Sequence, residues 1–220
     1  MKQMRLSVSP MRKMEGLQFF KPLGTGSGTG YSMWPDFSVY GLLAVWKSHE
    51  QANSYLESQL FRNFVNNSVE QYTIFLTPIS SHGSWSGFNK WEFADADTTS
   101  SLICVLTRAS LRKRFLFRFL RLVPRISAEL INHQGLIFSK GIGEYPVFEQ
   151  ATFSIWENAS CLDAFVGKPN HMEAIRKARE HSGFKEEMFT RLRPYLAIGT
   201  WQGKDLLKDY LSDSSNSGHL

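Results

Sequence analysis

Cysteine is scarce in this 220-residue chain: there are two, Cys104 and Cys161, far apart and each among apolar neighbours. They cannot form a thiolate cage or a Cys-x-x-Cys redox pair, so both are read as reduced core residues. Long apolar runs are missing as well. The longest uncharged apolar stretch, Val39 to Trp46, falls far short of the ~20 residues a membrane-spanning helix needs. Met1 to Met14 is basic but lacks the apolar stretch of a signal peptide, and these absences point to the cytoplasm. Strong charge of one sign is lacking too. The 25 Lys and Arg stand against 20 Asp and Glu, a net charge of +5 with both signs spread along the chain. That balance permits an anionic partner without indicating nucleic acid. An apolar content of 42% over 220 residues suffices for a sizeable core in one domain or two small fused ones.

Motifs of familiar chemistry are few. Six histidines form no His-x-x-His or His-Glu-x-x-His pair, which removes a multi-ligand zinc or non-haem iron site and leaves a single axial ligand to haem open. Serine and cysteine nucleophile motifs are missing. Gly24-Thr-Gly-Ser-Gly-Thr-Gly30 lacks a Gly-Lys-[Ser/Thr] ending and has the wrong glycine spacing for a dinucleotide. It reads either as a flexible loop between strands or as a loop whose amides approach an anionic group such as a cofactor carboxylate. Glu144 and the pair Glu186 and Glu187 are candidate acids without a partner at catalytic spacing, so the catalytic residues stay unassigned.

What the chain does contain is a repeat, with the same short motifs in the same order roughly 110 residues apart. Leu17-Gln-Phe-Phe-Lys-Pro-Leu-Gly24 matches Leu136-Ile-Phe-Ser-Lys-Gly-Ile-Gly143, each a strand closed by a glycine turn. Val39 to Trp46 matches Gln150 to Trp156, and Ser48 and Asn158 are the N-caps of the helices that follow. Ala52, Tyr55 and Leu56 fall at the same helical spacing as Leu162, Phe165 and Val166. Strands Tyr72 to Thr77 and Pro194 to Ile198 lead into Gly83-Ser-Trp-Ser-Gly87 and Gly199-Thr-Trp-Gln-Gly203, the most specific match.

The second copy also has an opening strand, Leu102 to Arg108, and a helix from Leu111 to about Ile131. The expected fold is therefore α+β: two tandem ferredoxin-like units packed as one barrel-like domain, the first lacking its opening strand. The boundaries read 1–87 for the first unit, 88–101 for a linker, 102–203 for the second unit and 204–220 for a C-terminal tail. On the helix after Leu111, Arg114, Arg118, Arg121 and Arg125 form one stripe, and Phe115, Leu116, Phe119, Leu120, Leu122 and Val123 occupy the opposite arc. The stripe is either a solvated face or a contact for an anionic membrane or an acidic redox partner.

Of the histidines, His171 is the best placed for a haem iron. Pro169-Asn170 starts a helix, and His171 in its first turn meets the positive helix end, which favours the neutral imidazole. Arg176 and Arg179 on the same helix could meet haem propionates. Spacing alone favours a surface or capping histidine. His82, beside Trp85, is next in line.

Several blocks resemble the bacterial spheroidene monooxygenases: Leu23 to Gly30, Asp36 to Trp46, Thr73-Ile-Phe-Leu-Thr-Pro78 with Gly83-Ser-Trp85, Leu106-Thr-Arg-Ala-Ser110, Phe138 to Glu144, Ala151 to Trp156 and His171-Met-Glu-Ala-Ile-Arg176. The similarity runs from about Leu17 to Trp201. It implies a haem-dependent oxygenase of carotenoid biosynthesis that introduces a keto group at C2 of an acyclic carotenoid such as spheroidene, using dioxygen and reduced ferredoxin. It also implies His171 as the axial iron ligand, with Arg176 and Arg179 as the basic residues after it, and a position at the inner face of the membrane that stores such a substrate. Two other readings stand beside it: a non-catalytic haem or lipid carrier, and a cofactor-free oxygenase on the same fold.

Overall fold

A computed structural model describes residues 2–30, 32, 34–93, 101–145 and 149–211. In chain order the elements are α1 (Lys2–Met11), β1 (Leu17–Gly26), β2 (Pro35–Trp46), α2 (His49–Glu57), α3 (Gln59–Asn66), β3 (Tyr72–Gly83), β4 (Ile103–Leu111) and α4 (Lys113–Ile131). There follow β5 (Leu136–Tyr145), β6 (Glu149–Trp156), α5 (Ala159–Val166), α6 (Pro169–Glu180), β7 (Phe184–Gly199) and α7 (Lys208–Leu211). The predicted caps form: Ser48 Oγ accepts from Gln51 N at 3.4 Å, and Asn158 Oδ1 accepts from Cys161 N at 2.9 Å. Pro169 opens α6, where its fixed φ suits the helix and its missing N–H is not needed.

The seven strands among the described residues form one antiparallel sheet in the order β2-β1-β5-β6-β4-β7-β3. Within it, β5-β6-β4-β7 with α4, α5 and α6 is a complete ferredoxin-like unit, and β1, β2 and β3 with α2 and α3 are the second, partial one. The fold class is therefore the expected α+β doubled ferredoxin-like arrangement. The sheet curls into a half-barrel whose edges are β2 and β3. In the complete unit β4 lies between β6 and β7; the matching place in the partial unit, between β2 and β3, holds no strand among the described residues. Burial records the difference: β4 is buried along nearly its whole length, whereas no residue of β2 is fully buried.

The curl encloses one core, with Leu23, Trp85, Trp91, Leu102, Cys104 and Leu106 among its buried members. Two further clusters join the outer face to the helices. Ile103, Val105 and Trp156 meet Leu130, Leu162 and Phe165, while Leu111 meets Phe115, Leu116 and Ala178. The two-faced reading of α4 holds for the side chains described. Phe115, Leu116 and Val123 are buried and the four arginines are exposed, while the side chain of Leu122 lies outside the described ones.

Strand β7 begins ten residues before the predicted start at Pro194. Pro194 and Pro78 are tolerated inside strands because the β3·β7 register shifts beside each, where a missing ladder N–H costs least. Residues read as linker and tail also reach the core. Phe88 stacks on Phe19 at 4.6 Å, Trp91 is buried, and Leu207 has no exposed surface. Positions 94–100 and 212–220 of those segments lie outside the described residues. Both cysteines are free thiols; burial pushes the Cys104 thiol pKa up, so it stays protonated and inert.

Candidate functional site at the half-barrel mouth and on helix α6

The two Gly-[Ser/Thr]-Trp-x-Gly segments build one device twice. After β3, Ser84 Oγ (2.7 Å), Ser86 N (3.0 Å) and Gly87 N (2.9 Å) all donate to the Glu186 carboxylate. After β7, Thr200 Oγ (2.7 Å), Gln202 N (2.9 Å) and Gly203 N (2.7 Å) do the same to Glu70. The backbones match. Gly83, Ser86 and Gly87 have φ of +82°, +52° and +78°, and Gly199, Gln202 and Gly203 have +89°, +53° and +74°. Converging amides of this kind make an anion nest. Each nest grips a carboxylate near the start of the other unit's last strand, so the repeat is used to fasten the two units reciprocally along β3·β7.

One of the two clasps is elaborated. Arg108, 3% exposed and pointing into the curl from β4, pairs with Glu186 at 2.5 Å and lies 3.8 Å from Glu149. Its guanidinium stands 5.4 Å from the centroid of the Trp85 ring, and its buried Nε has no hydrogen-bond partner. Trp85, 1% exposed, donates from Nε1 to Glu144 at 2.7 Å. Lys21 holds Glu144 at 2.6 Å and Ser86 Oγ at 2.8 Å. At the other clasp Lys140, the repeat counterpart of Lys21, stands 5.7 Å from the Trp201 ring and 3.6 Å from Asp36. Among the described residues Glu70 has no arginine in the place of Arg108, because that arginine comes from β4, which has no counterpart strand among them.

Burial alone would raise the Glu186 pKa, but the Gly87, Ser84 and Ser86 donors and the Arg108 charge outweigh it and hold the carboxyl at about 2. A depressed pKa contributes stability that is fully present above the ordinary value of 4.5 and is lost as pH falls toward about 2. Glu186→Gln is therefore expected to flatten the acid limb of the stability curve, followed by urea unfolding from about pH 6 to about pH 2. Parallel curves for the two proteins would count against this assignment.

His171 sits in the first turn of α6, as predicted, and its ring packs on Phe165 at 5.1 Å. Nδ1 lies 3.1 Å from the Val166 carbonyl oxygen, so Nδ1–H is the donor and Nε2 carries the lone pair. Its pKa is lowered, and the main cause is burial rather than the helix end; the Val166 carbonyl and the Glu129 charge oppose it in part. Glu129 in turn accepts from Asn170 Nδ2 at 2.5 Å. Arg176, 61% exposed, pairs with Glu180 at 2.6 Å, and Arg179, 63% exposed, lies 3.7 Å from Glu187. His171 is thus an oriented imidazole with a lowered pKa whose Nε2 lone pair would suit a haem iron, and the two arginines are already occupied by carboxylates at the surface. A groove of about 690 Å³, lined by Glu129, Asn132, His133 and Lys168, shares Glu129 with the surroundings of His171.

His82 is exposed at the end of β3. Two amides of the glycine-rich loop are committed: Ser27 N donates to Trp34 O and Gly30 N to Ser139 O. No group of three or more His, Cys, Asp or Glu able to hold a metal ion occurs among the described residues. The sequence reading missed Arg108, Lys21 and Glu149. The signal for Arg108 was a single charge at an inward position of an otherwise uncharged strand, Ile103 to Leu111.

Strand order and the reciprocal clasps define the class: a doubled ferredoxin-like domain whose halves are fastened by carboxylate nests. Sequence comparison narrows it. Spheroidene monooxygenase from Cereibacter sphaeroides is 33% identical over 214 residues, covering 96% of this chain and 66% of that protein. The Rhodobacter capsulatus protein of the same name is 33% identical over 209 residues, covering 93% of this chain and 87% of that protein. The chain belongs to the spheroidene monooxygenase family. No protein-family model matches it. Among solved structures, the cofactor-independent oxygenase SnoaB from Streptomyces nogalater (mutant N63A) is 10% identical, covers 48% of this chain and 97% of that one, and has a TM-score of 0.34. Rv0793 from Mycobacterium tuberculosis is 17% identical, covers 43% and 95%, and scores 0.37.

Proposed function

We propose that this chain is a haem-dependent monooxygenase that installs a keto group at C2 of an acyclic carotenoid such as spheroidene, with electrons from reduced ferredoxin. The observation that carries the reading is the match to spheroidene monooxygenases over 90 to 96% of the chain. The reaction balances as two successive monooxygenations of one methylene. Each consumes one dioxygen, two electrons and two protons and releases one water, and the gem-diol left by the second loses water to give the ketone. Haem, when bound, supplies oxygen activation. His171 offers Nε2 to the iron, and the Val166 carbonyl holds the ring's tautomer and orientation.

Haemin titration of the purified protein, beside His171→Ala, tests the cofactor. The intact chain is expected to give a shifted Soret band, and the variant to bind haemin at least about tenfold more weakly, the usual cost of losing an oriented ligand. No Soret shift on the intact chain sinks the haem assignment, and a normal spectrum in the variant moves the ligand elsewhere, His82 first. Turnover of an acyclic carotenoid under dioxygen with reduced ferredoxin tests the reaction: haemin binding without a ketone product marks a carrier, and ketone without a Soret band marks a cofactor-free oxygenase.

A further inference from the structure

Helix α4 presents an unusual row of charge. Arg112 and Lys113 lead into Arg114, Arg118, Arg121 and Arg125, and all six are exposed. At 1.5 Å per residue the row spans about 20 Å. Elsewhere Arg108, Arg176, Lys177, Arg179 and Arg191 each have a carboxylate within ion-pair distance. None of these six cations has such a partner among the described residues. The carboxylates nearby are committed: Glu173, which feels Arg125, is held by Lys177 at 2.5 Å, and Glu149 faces Arg108. At the start of the helix the basic surface continues into a cleft of about 490 Å³ lined by Arg112, Lys113, Arg114 and Lys185 beside Glu149.

The opposite side of α4 is anchored through Phe115, Leu116, Val123 and Leu130, so the row is fixed facing outward. Pro124, Ala128 and Ile131 are exposed beside it. No helix among the described residues is long and apolar enough to cross a membrane.

We propose that this face of α4 seats the protein on an anionic lipid surface. An exposed basic row without interspersed acidic groups suits a laterally uniform field of anionic lipid headgroups, to which each Lys or Arg near the surface adds attraction. The exposed Pro124 and Ile131 suit the headgroup boundary. The inference rests on the proposed function for its purpose, since a long polyene hydrocarbon partitions into bilayers and its enzyme must meet it there.

Flotation with neutral phosphatidylcholine vesicles and with vesicles containing phosphatidylglycerol tests it. The intact protein is expected to bind the anionic vesicles at least about tenfold better than the neutral ones, and to release in high salt. Replacing Arg114, Arg118, Arg121 and Arg125 together by Gln is expected to lower binding at least about tenfold with the circular-dichroism spectrum unchanged. A control that removes the same charge elsewhere, Arg12, Lys13, Lys90 and Lys204 to Gln, keeps it. Equal binding by the two variants, no preference for anionic vesicles, or capture of the row by RNA or an acidic protein but not by vesicles overturns the proposal. Turnover of detergent-held carotenoid is read separately: it decides the oxygenase reading and leaves the vesicle result standing by itself.

Discussion

Gly83→Ala is expected to destabilise the protein by about 3 kcal/mol or more, through a left-handed residue and a steric overlap acting together. Gly83 has φ of +82°, and a Cβ there would overlap the carbonyl oxygen of Glu187 on the neighbouring strand. Gly199→Ala repeats the experiment at the other clasp, where φ is +89° and the obstruction is the Gln71 carbonyl. Gly87 and Gly203 separate the two causes. Their φ values are +78° and +74°, yet an added Cβ meets open space, so alanine there should cost only about 1–2 kcal/mol. Urea unfolding of the four variants gives the comparison. If Gly83 and Gly199 tolerate alanine as well as Gly87 and Gly203 do, the loops are not held against the opposite strands as described.

Arg108→Met is expected to be the other costly change, at roughly 3 kcal/mol. The side chain is 3% exposed, so its loss leaves the Glu186 carboxylate facing an uncharged neighbour and strips Trp85 of the cation over its ring. The cost should depend on Glu186. In the Glu186→Gln background the same substitution should cost less by about 1–2 kcal/mol, the coupling of a contacting charged pair. Strict additivity would show that Arg108 does not stabilise through Glu186. The three nest donors keep Glu186 partly satisfied in the single variant, so Ser84→Ala should sharpen the loss rather than add independently to it.

Much of this architecture was legible in the sequence because its cause is local. Strands ending in Trp46 and Trp156, caps at Ser48 and Asn158, and the two-faced α4 each follow from a few neighbouring residues. What stayed hidden depends on pairing across the chain. The Gly-[Ser/Thr]-Trp-x-Gly repeat was visible, but its partners Glu186 and Glu70 lie in the opposite units, and neither glutamate has a local signature. The early half of β7, Phe184 to Arg193, is broken by charged residues and reads weakly as a strand. Two ladders hold it, to β3 and to β4, and that tertiary support overrides its propensity. At His171 the direction of the pKa shift was readable from the helix start, whereas the burial that dominates it required the packing of Phe165.

The strand order carries a consequence for synthesis. β3 has one neighbour in the sheet, β7, and β7 also completes the ladder of β4. A nascent chain that has emerged only as far as Leu111 therefore exposes β3 without its partner, and must wait more than seventy residues for Phe184 to Gly199 before the two units can lock. Pairings of such long sequence separation fold slowly, so during that wait the unpaired β3 and its glutamate-gripping loop are the segment most in need of a chaperone.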